Sequence, residues 1–369
     1  RWQSREHWHH SEPCLHRPTV HNHQTLSVQY QNPNIKPTVV HDVLYCMTIL
    51  ITGGAGFIGS HLVDHLFAET THDICVLDNV STGFINNLAH IDTNRIELIE
   101  GDVQNTSLVA DLSSNADIVY HLAAAVGVKR IVDNPLSSLQ TSLNGTDNVL
   151  NAAATDNTPI FIASSSEVYG KSVDVPFSED DDTVYGPTTS PRWGYATAKA
   201  TDEFLALGHY KQHDLPVVVG RYFNIVGPRQ TGQYGMVIPT FVDQALAGDD
   251  LTVYGDGTQT RSFTHVEDAV EITHELLSTS TTHGEVFNIG APEPTSINDL
   301  AERIIELTDS SSDITYVPFA EAYDEDFEEP EQREPDTTKL RDTLGRDPSA
   351  NLDRILRDVI NERSNEVTV

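Results

Sequence analysis

Lysine is scarce in this chain. Only six of its 369 residues are lysine, and 22 basic side chains stand against 55 acidic ones for a net charge of −33. A surface of that sign repels a phosphate backbone, which argues against nucleic acid as a partner. Acid excess with little lysine keeps a protein hydrated and dispersed where salt screens its self-repulsion, so a high-salt, halophilic setting is expected. Cysteine is nearly missing as well. Cys14, Cys46 and Cys75 are odd in number and too few for a disulfide framework or a thiolate zinc site of standard spacing, which fits a reducing compartment. No apolar run reaches the roughly eighteen residues of a membrane-spanning helix, and the N-terminal residues lack the order of a secretory signal. The expected location is cytoplasmic, without membrane attachment. What the chain does contain is 38% apolar residues, enough for a large core.

Residues 1–46 differ from the rest. They are polar, rich in His and Pro, and carry Arg1, Arg5, Arg17 and Lys36 against only Glu6, Glu12 and Asp42, so the acid excess belongs to residues 47–369. His7, His9, His10, Cys14, His16, His21 and His23 offer soft metal ligands, but nothing around them builds a second shell. The expectation is a disordered or mistakenly translated extension, with Met47 as the true start and no metal. From Met47 the pattern is strand (48–52), glycine loop, helix (58–67), strand (74–77), which is a βαβ unit. Short apolar runs at 96–99, 117–121, 160–163 and 217–220 then alternate with amphipathic stretches near 106–113, 134–154 and 195–213. These predict an α/β fold, a doubly wound parallel Rossmann sheet over 47–225. After 225 come Gly/Pro-rich segments, short strands at 251–254 and 286–289, and helices near 297–307 and 351–362, predicting a smaller C-terminal α/β lobe for substrate over 226–369.

The loop after the first strand reads Thr52-Gly53-Gly54-Ala55-Gly56-Phe57-Ile58-Gly59. Gly53 allows the tight turn, Gly56 lets backbone approach a pyrophosphate, and Gly59 lets the helix opened by Phe57 and Ile58 pack close to the strand. Asp78, followed by Asn79, ends the second strand 25 residues after Gly53. A carboxylate there accepts from a ribose diol and repels a 2′-phosphate, selecting NAD over NADP. After the strand at 160–163 comes Ser164-Ser165-Ser166-Glu167-Val168-Tyr169-Gly170, hydroxyls and a carboxylate at the strand end where parallel sheets bind ligands. Tyr195 and Lys199 are four residues apart, one turn on one helix face. A phenol is a poor base at neutral pH, and a nearby ammonium together with the nicotinamide ring favours its ionised form.

With these motifs the chain resembles the extended short-chain dehydrogenase/reductase superfamily, in particular its nucleotide-sugar epimerases, dehydratases and decarboxylases of the UDP-glucose 4-epimerase kind. The likeness runs from Met47 to about Asp358 through TGGAGFIG, LDNVSTG, GDV at 101–103, HLAAAVGV at 121–128, SSSEVYG, YATAK, RYFNIVGPRQ at 221–230 and GDGTQTRSFTHVED at 255–268. The resemblance implies that Asp102 and Val103 hold the adenine and that Leu122, Ala123, Ala124, Lys199 and Tyr222 line the NAD site. Ser165, Tyr195 and Lys199 would form the catalytic triad, with Glu167 beside it and Ser166 against the substrate. Asn224, Arg229, Arg261 and Arg333 would receive a diphosphate, since guanidinium forks suit phosphate oxygens, and Tyr254 would pack near the base. The partner is then a UDP-sugar. Homodimers are common among similar enzymes, though no residue pattern here marks an interface.

All three chemistries start with Tyr195 taking the 4-hydroxyl proton as hydride leaves C4 for NAD. An epimerase turns the keto sugar over, a decarboxylase loses a C6 carboxylate, and a dehydratase eliminates water. Ser166-Glu167 in place of the Asp-Glu pair of similar dehydratases counts against elimination. Epimerisation of UDP-glucose or UDP-glucuronate needs least beyond the triad and is the favoured expectation, with Arg229 as partner for a uronate carboxylate. Glu167, with Arg261 in Gln259-Thr260-Arg261, keeps UDP-glucuronate decarboxylation open as the alternative. A catalytically silent NAD-binding regulator on the same fold is the reading from another class, and retention of both Tyr195 and Lys199 argues against it. The acidic runs 179–182 and 321–331 lack the spacing of a cation loop and are expected to be solvated.

Overall fold

Strands whose every residue is apolar or small need cover on both faces, and the chain supplies it. In the computed structural model, residues 47–367 are described except 92, 125–133, 233–235, 319–320 and 322–331. The N-terminal extension with its histidines and Cys14, the end of the HLAAAVGV motif and most of the 321–331 acidic run lie outside the described residues.

β1 (Thr48–Thr52), β2 (Asp73–Asp78), β3 (Ile96–Glu100), β4 (Ile118–His121), β5 (Ile160–Ser165), β6 (Val217–Tyr222) and β11 (Glu285–Ile289) form one seven-stranded sheet in the order β11-β6-β5-β4-β1-β2-β3. Every pairing in it is parallel. The order reverses between β1 and β4, so the carboxyl ends of those strands open a crevice where ligands bind. On one face α1 (Phe57–Glu69) and α6 (Val266–Ser278) pack Leu62, Leu66, Ile272 and Leu276 against Ile49, Phe161 and Phe287. On the other, α2 (Thr106–Ser113), α3 (Pro135–Asp156) and α4 (Arg192–His213) cover Leu50, Val119 and Ile162 with Val109, Val149, Leu150 and Ala206.

The predicted α/β sheet is therefore present, with strand limits within two residues of those read from the sequence. Among the described residues three helices escaped that reading: α5 (Val237–Ala247), α6 and α8 (Thr338–Leu344). α6 starts where the His265 side chain accepts from Glu267 N and where Glu267 and Asp268 complement the helix dipole. A third core joins α5 to α7 (Ile297–Thr308) and α9 (Leu352–Val367) through Phe241, Val242, Leu300, Ile304, Leu356 and Val359. This lobe also carries β8 (Leu251–Tyr254) with β13 (Ile314–Val317), and β9 (Thr260–Ser262) with β12 (Pro294–Ser296). The chain does not stay in that lobe after residue 225, because α6 and β11 return to the main sheet. Among the described residues no helix is long and apolar enough to cross a membrane, and no group of His, Cys, Asp and Glu gathers to hold a metal.

Candidate active site

The glycine loop joins β1 to α1 at the sheet crevice. Gly53 has φ +74°, and a Cβ on it would lie 2.8 Å from Ala123 N. At Gly59 a Cβ would fall 2.1 Å from the Gly53 carbonyl oxygen, so helix and loop touch backbone to backbone. The first turn of α1 has no side-chain cap, which leaves its amides for an anionic ligand. Gly59→Ala must push α1 off the loop, a strain of about 1–3 kcal/mol. NAD affinity measured by fluorescence titration should accordingly fall by roughly tenfold or more.

Asp78 is buried at the end of β2, its Oδ2 accepting from Ala55 N (2.9 Å) and its Oδ1 from Val80 N (2.8 Å). Each oxygen keeps a lone pair for a diol. Asn79 donates to Asp102 Oδ2 (3.0 Å) and Gln104 N to Asp102 Oδ1 (2.8 Å). Burial opposes the Asp102 charge, and these donors outweigh it, holding the carboxyl below its ordinary range. Val103 is buried beneath α3 at Gly145, and Leu122 and Ala123 hydrogen-bond Thr52 as they leave β4. Tyr222 departs from expectation. Its hydroxyl meets Thr273 of α6 at 2.7 Å and its ring packs on Phe161, so the side chain fills the core under α6.

Ser165 ends β5 and caps the 3-10 turn Ser166–Tyr169, accepting from Glu167 N at 3.3 Å. The same hydroxyl hydrogen-bonds the phenol of Tyr195, which is half-buried on α4. Burial pushes that phenol upward, the carboxylates of Glu167 and Asp202 push the same way, and the Ser165 bond pulls against them. Lys199 is buried, donating to the carbonyl of Ala163 (2.9 Å) and pairing with Asp202 (3.3 Å). Its field at the phenol is thus offset by its own carboxylate partner, which the spacing of Tyr195 and Lys199 does not disclose.

Glu167 is buried between two guanidiniums. Arg192 donates to it at 2.8 and 3.3 Å, and Arg333 at 2.7 Å. Burial alone would raise the Glu167 carboxyl, but Arg333 and Arg192 together hold it down at about 2. Ser166 is buried in the same turn. Arg192 was not singled out from the sequence, although it stands three residues before Tyr195 and so on the same helix face.

Of the remaining residues named for substrate, Asn224 and Arg261 come together at β9, which Thr260 ties to Glu334 beside Arg333 (3.1 Å). Arg229 is instead held by Asp64 of α1 at 2.6 Å, its backbone N–H is taken by Glu362, and it lines a cleft with His61 and Glu267. Asn224 donates its amide to Ser262 O (2.9 Å), tying the end of β6 to β9. Arg261 is buried on β9 with its Nη1 on Thr260 O, and Tyr254 is exposed at the end of β8. Glu179 is also not purely solvated, since it accepts from Asn288 N at 2.7 Å, and burial raises its carboxyl.

A glycine loop under a parallel sheet, an acidic residue at the end of β2 and a Tyr–Lys helix beside a serine turn define a dinucleotide-dependent enzyme. The sequence pattern of the NAD dependent epimerase/dehydratase family matches residues 49–290, and the chain belongs to that family, with NAD as its cofactor. The chain is 44% identical over 312 residues to a UDP-N-acetyl-alpha-D-glucosaminuronate decarboxylase from Bacillus cytotoxicus, covering 84% of this chain and 96% of that protein. It is 36% identical to UDP-glucuronic acid decarboxylase 5 of Arabidopsis thaliana, covering 87% and 91%. Among solved structures, UDP-N-acetylglucosamine 4-epimerase from Methanobrevibacter ruminantium M1, in complex with UDP-N-acetylmuramic acid, superposes with a TM-score of 0.78 at 28% identity over 87% of this chain and 99% of that one.

Proposed function

We propose that the protein is an NAD-dependent decarboxylase of a UDP-linked uronic acid, in place of the 4-epimerase that the sequence favoured. The observation that carries this reading is the Glu167 cluster. Arg192 and Arg333 converge on this carboxylate beside Ser165 and Tyr195, and a hexose with a neutral C6 has no use for such a buried guanidinium pair. A uronate carboxylate does, because guanidinium–carboxylate contacts are strong and directional. The names of the relatives point the same way.

NAD, held by the glycine loop and Asp78, would supply the hydride acceptor and donor of the reaction. Tyr195 takes the 4-hydroxyl proton and later gives it back, with Ser165 sharing the phenol's hydrogen bond and fixing its direction. Lys199 stays on Ala163 O and holds the helix face that presents Tyr195. Arg333 and Arg192 bind the C6 carboxylate around Glu167. Once C4 is a ketone, the C5–C6 bond breaks with its electron pair passing towards the C4 oxygen, carbon dioxide leaves, and a proton is then added at C5. Asp78 accepts from the cofactor ribose and the first turn of α1 receives the pyrophosphate.

The test is incubation of the protein in high salt with UDP-glucuronate, UDP-N-acetylglucosaminuronate and UDP-glucose, with products read by mass and NMR. Loss of carbon dioxide from a uronate is expected. A product of unchanged mass with an inverted 4-hydroxyl would return the assignment to epimerisation.

A further inference from the structure

One buried carboxylate takes no part in that chemistry. Asp202 is completely buried on α4, one turn beyond Lys199 and 3.3 Å from its ammonium. Thr146 of α3 bears on it as well, without closing a hydrogen bond to either carboxylate oxygen. Thr146 Oγ1 lies 3.2 Å from His121 Nε2 at the end of β4, and His121 Nδ1 lies 2.8 Å from Thr52 Oγ1, the residue before Gly53. Thr52, His121 and Thr146 are at most 1% exposed. These three side chains form one dry hydrogen-bonded chain from the dinucleotide loop to α3, and the Asp202–Lys199 ion pair stands next to its end. A buried carboxylate costs several kcal/mol to desolvate unless it is paired. Here its ionic partner is the lysine of the Tyr–Lys pair, and burial raises the Asp202 carboxyl while Lys199 draws it back.

We infer that Asp202 is a positioning residue for the Tyr195–Lys199 pair, its buried carboxylate fixing the ammonium against the carbonyl of Ala163. The inference rests on Tyr195 being the acid/base of the proposed reaction. Several charged or polar groups bear on the phenol: Lys199 and Asp202 from its own helix, Ser165 from β5, and Glu167 with its two arginines from the serine turn and the 332–334 segment. His121 contributes no charge, because burial and then Lys199 drive its imidazole down to about 3. Glu167 is covered by two guanidiniums, whereas Asp202 is paired with the ammonium of Lys199. Asp202→Asn keeps the shape while removing that charge, so the phenol ionises more easily.

The experiment uses the full chain loaded with NAD. Ultraviolet phenolate absorbance of the wild type and of Asp202→Asn is titrated against pH, each referenced to the same protein carrying Tyr195→Phe, so that the difference isolates one phenol. The expected result is a midpoint lower in Asp202→Asn by about one pH unit or more. A wild-type phenol that stays protonated to the alkaline limit of the folded protein while the Asn variant ionises has the same meaning. Equal midpoints, or no ionisation in either protein, overturn the inference, since a merely structural residue would lower the melting temperature without moving this titration. Should Asn not be accommodated, Asp202→Ser, smaller and likewise uncharged, is read the same way. Failure to release carbon dioxide from uronates would sink the decarboxylase reading and leave this titration intact.

Discussion

Tyr195→Phe should bind NAD as the wild type does and turn over UDP-uronate about 10²- to 10⁴-fold more slowly, the range expected for loss of a positioned acid/base group. The substitution removes one oxygen and leaves the ring on α4. Its hydrogen bond is to Ser165, and its charge neighbours are Glu167 and Asp202. Fluorescence titration reads NAD binding, and NMR of the sugar product reads turnover. Near-normal turnover would mean that another group moves the 4-hydroxyl proton and that the phenol is only part of the wall.

Arg333→Met carries the second large effect. It takes away one of the two guanidiniums that meet Glu167 and leaves the contact from Arg192. Truncating one member of a buried charge pair costs about 2–5 kcal/mol in binding, so kcat/KM for a uronate should fall by roughly 10²-fold or more. Stability should change with a definite sign. The Glu167 carboxyl sits at about 2 in the folded protein against 4.5 as its ordinary value. A lowered carboxyl stabilises the fold above the unfolded value, and that contribution disappears as pH falls from about 4.5 to about 2. Its size is on the order of 3 kcal/mol. Arg333→Met raises the folded value and shrinks the contribution, so the variant should melt at a lower temperature near neutral pH and lose less of its remaining stability on acidification. Thermal melts from pH 7 to pH 3 read both effects. A variant with wild-type kcat/KM on uronates would remove the electrostatic basis of the assignment.

Much of this molecule could be read from residue order because its strongest signals are local. Gly53, Gly59 and Asp78 stand within one βαβ unit, where Gly59 answers to the nearby Gly53 carbonyl, although the backbone that crowds Gly53 is that of Ala123 past β4. Tyr195 and Lys199 share a helix turn, so spacing alone joins them. The Glu167 cluster is different in kind, since Arg333 lies 166 residues from its partner and no periodicity connects the two. The guanidinium of Arg229 shows the same limit from the other side, as a motif placed it near substrate and Asp64 holds it against α1. Asp202 was hidden for another reason. An acidic residue on a helix of an acidic protein looks like surface until burial is known, and only packing against α3 and β4 turns it into a partner of Lys199. Helix α5 was missed because Pro239 within it and Gly248 after it interrupt its period, whereas α6, free of both residue types, was read only as the end of the 255–268 motif.

The return of β11 to the edge of β6 has a consequence for how the molecule can be divided. Residues 285–289 hydrogen-bond residues 218–222 in register, and α6 roofs Phe161 and Tyr222 on the same side. A gene fragment stopping near residue 225 would therefore expose a bare strand of six buried residues and an unroofed aromatic patch, a template for intermolecular pairing. The half that grips the cofactor cannot be inherited, expressed or recombined as a freestanding piece, because its outermost stave is woven from the opposite end of the polypeptide.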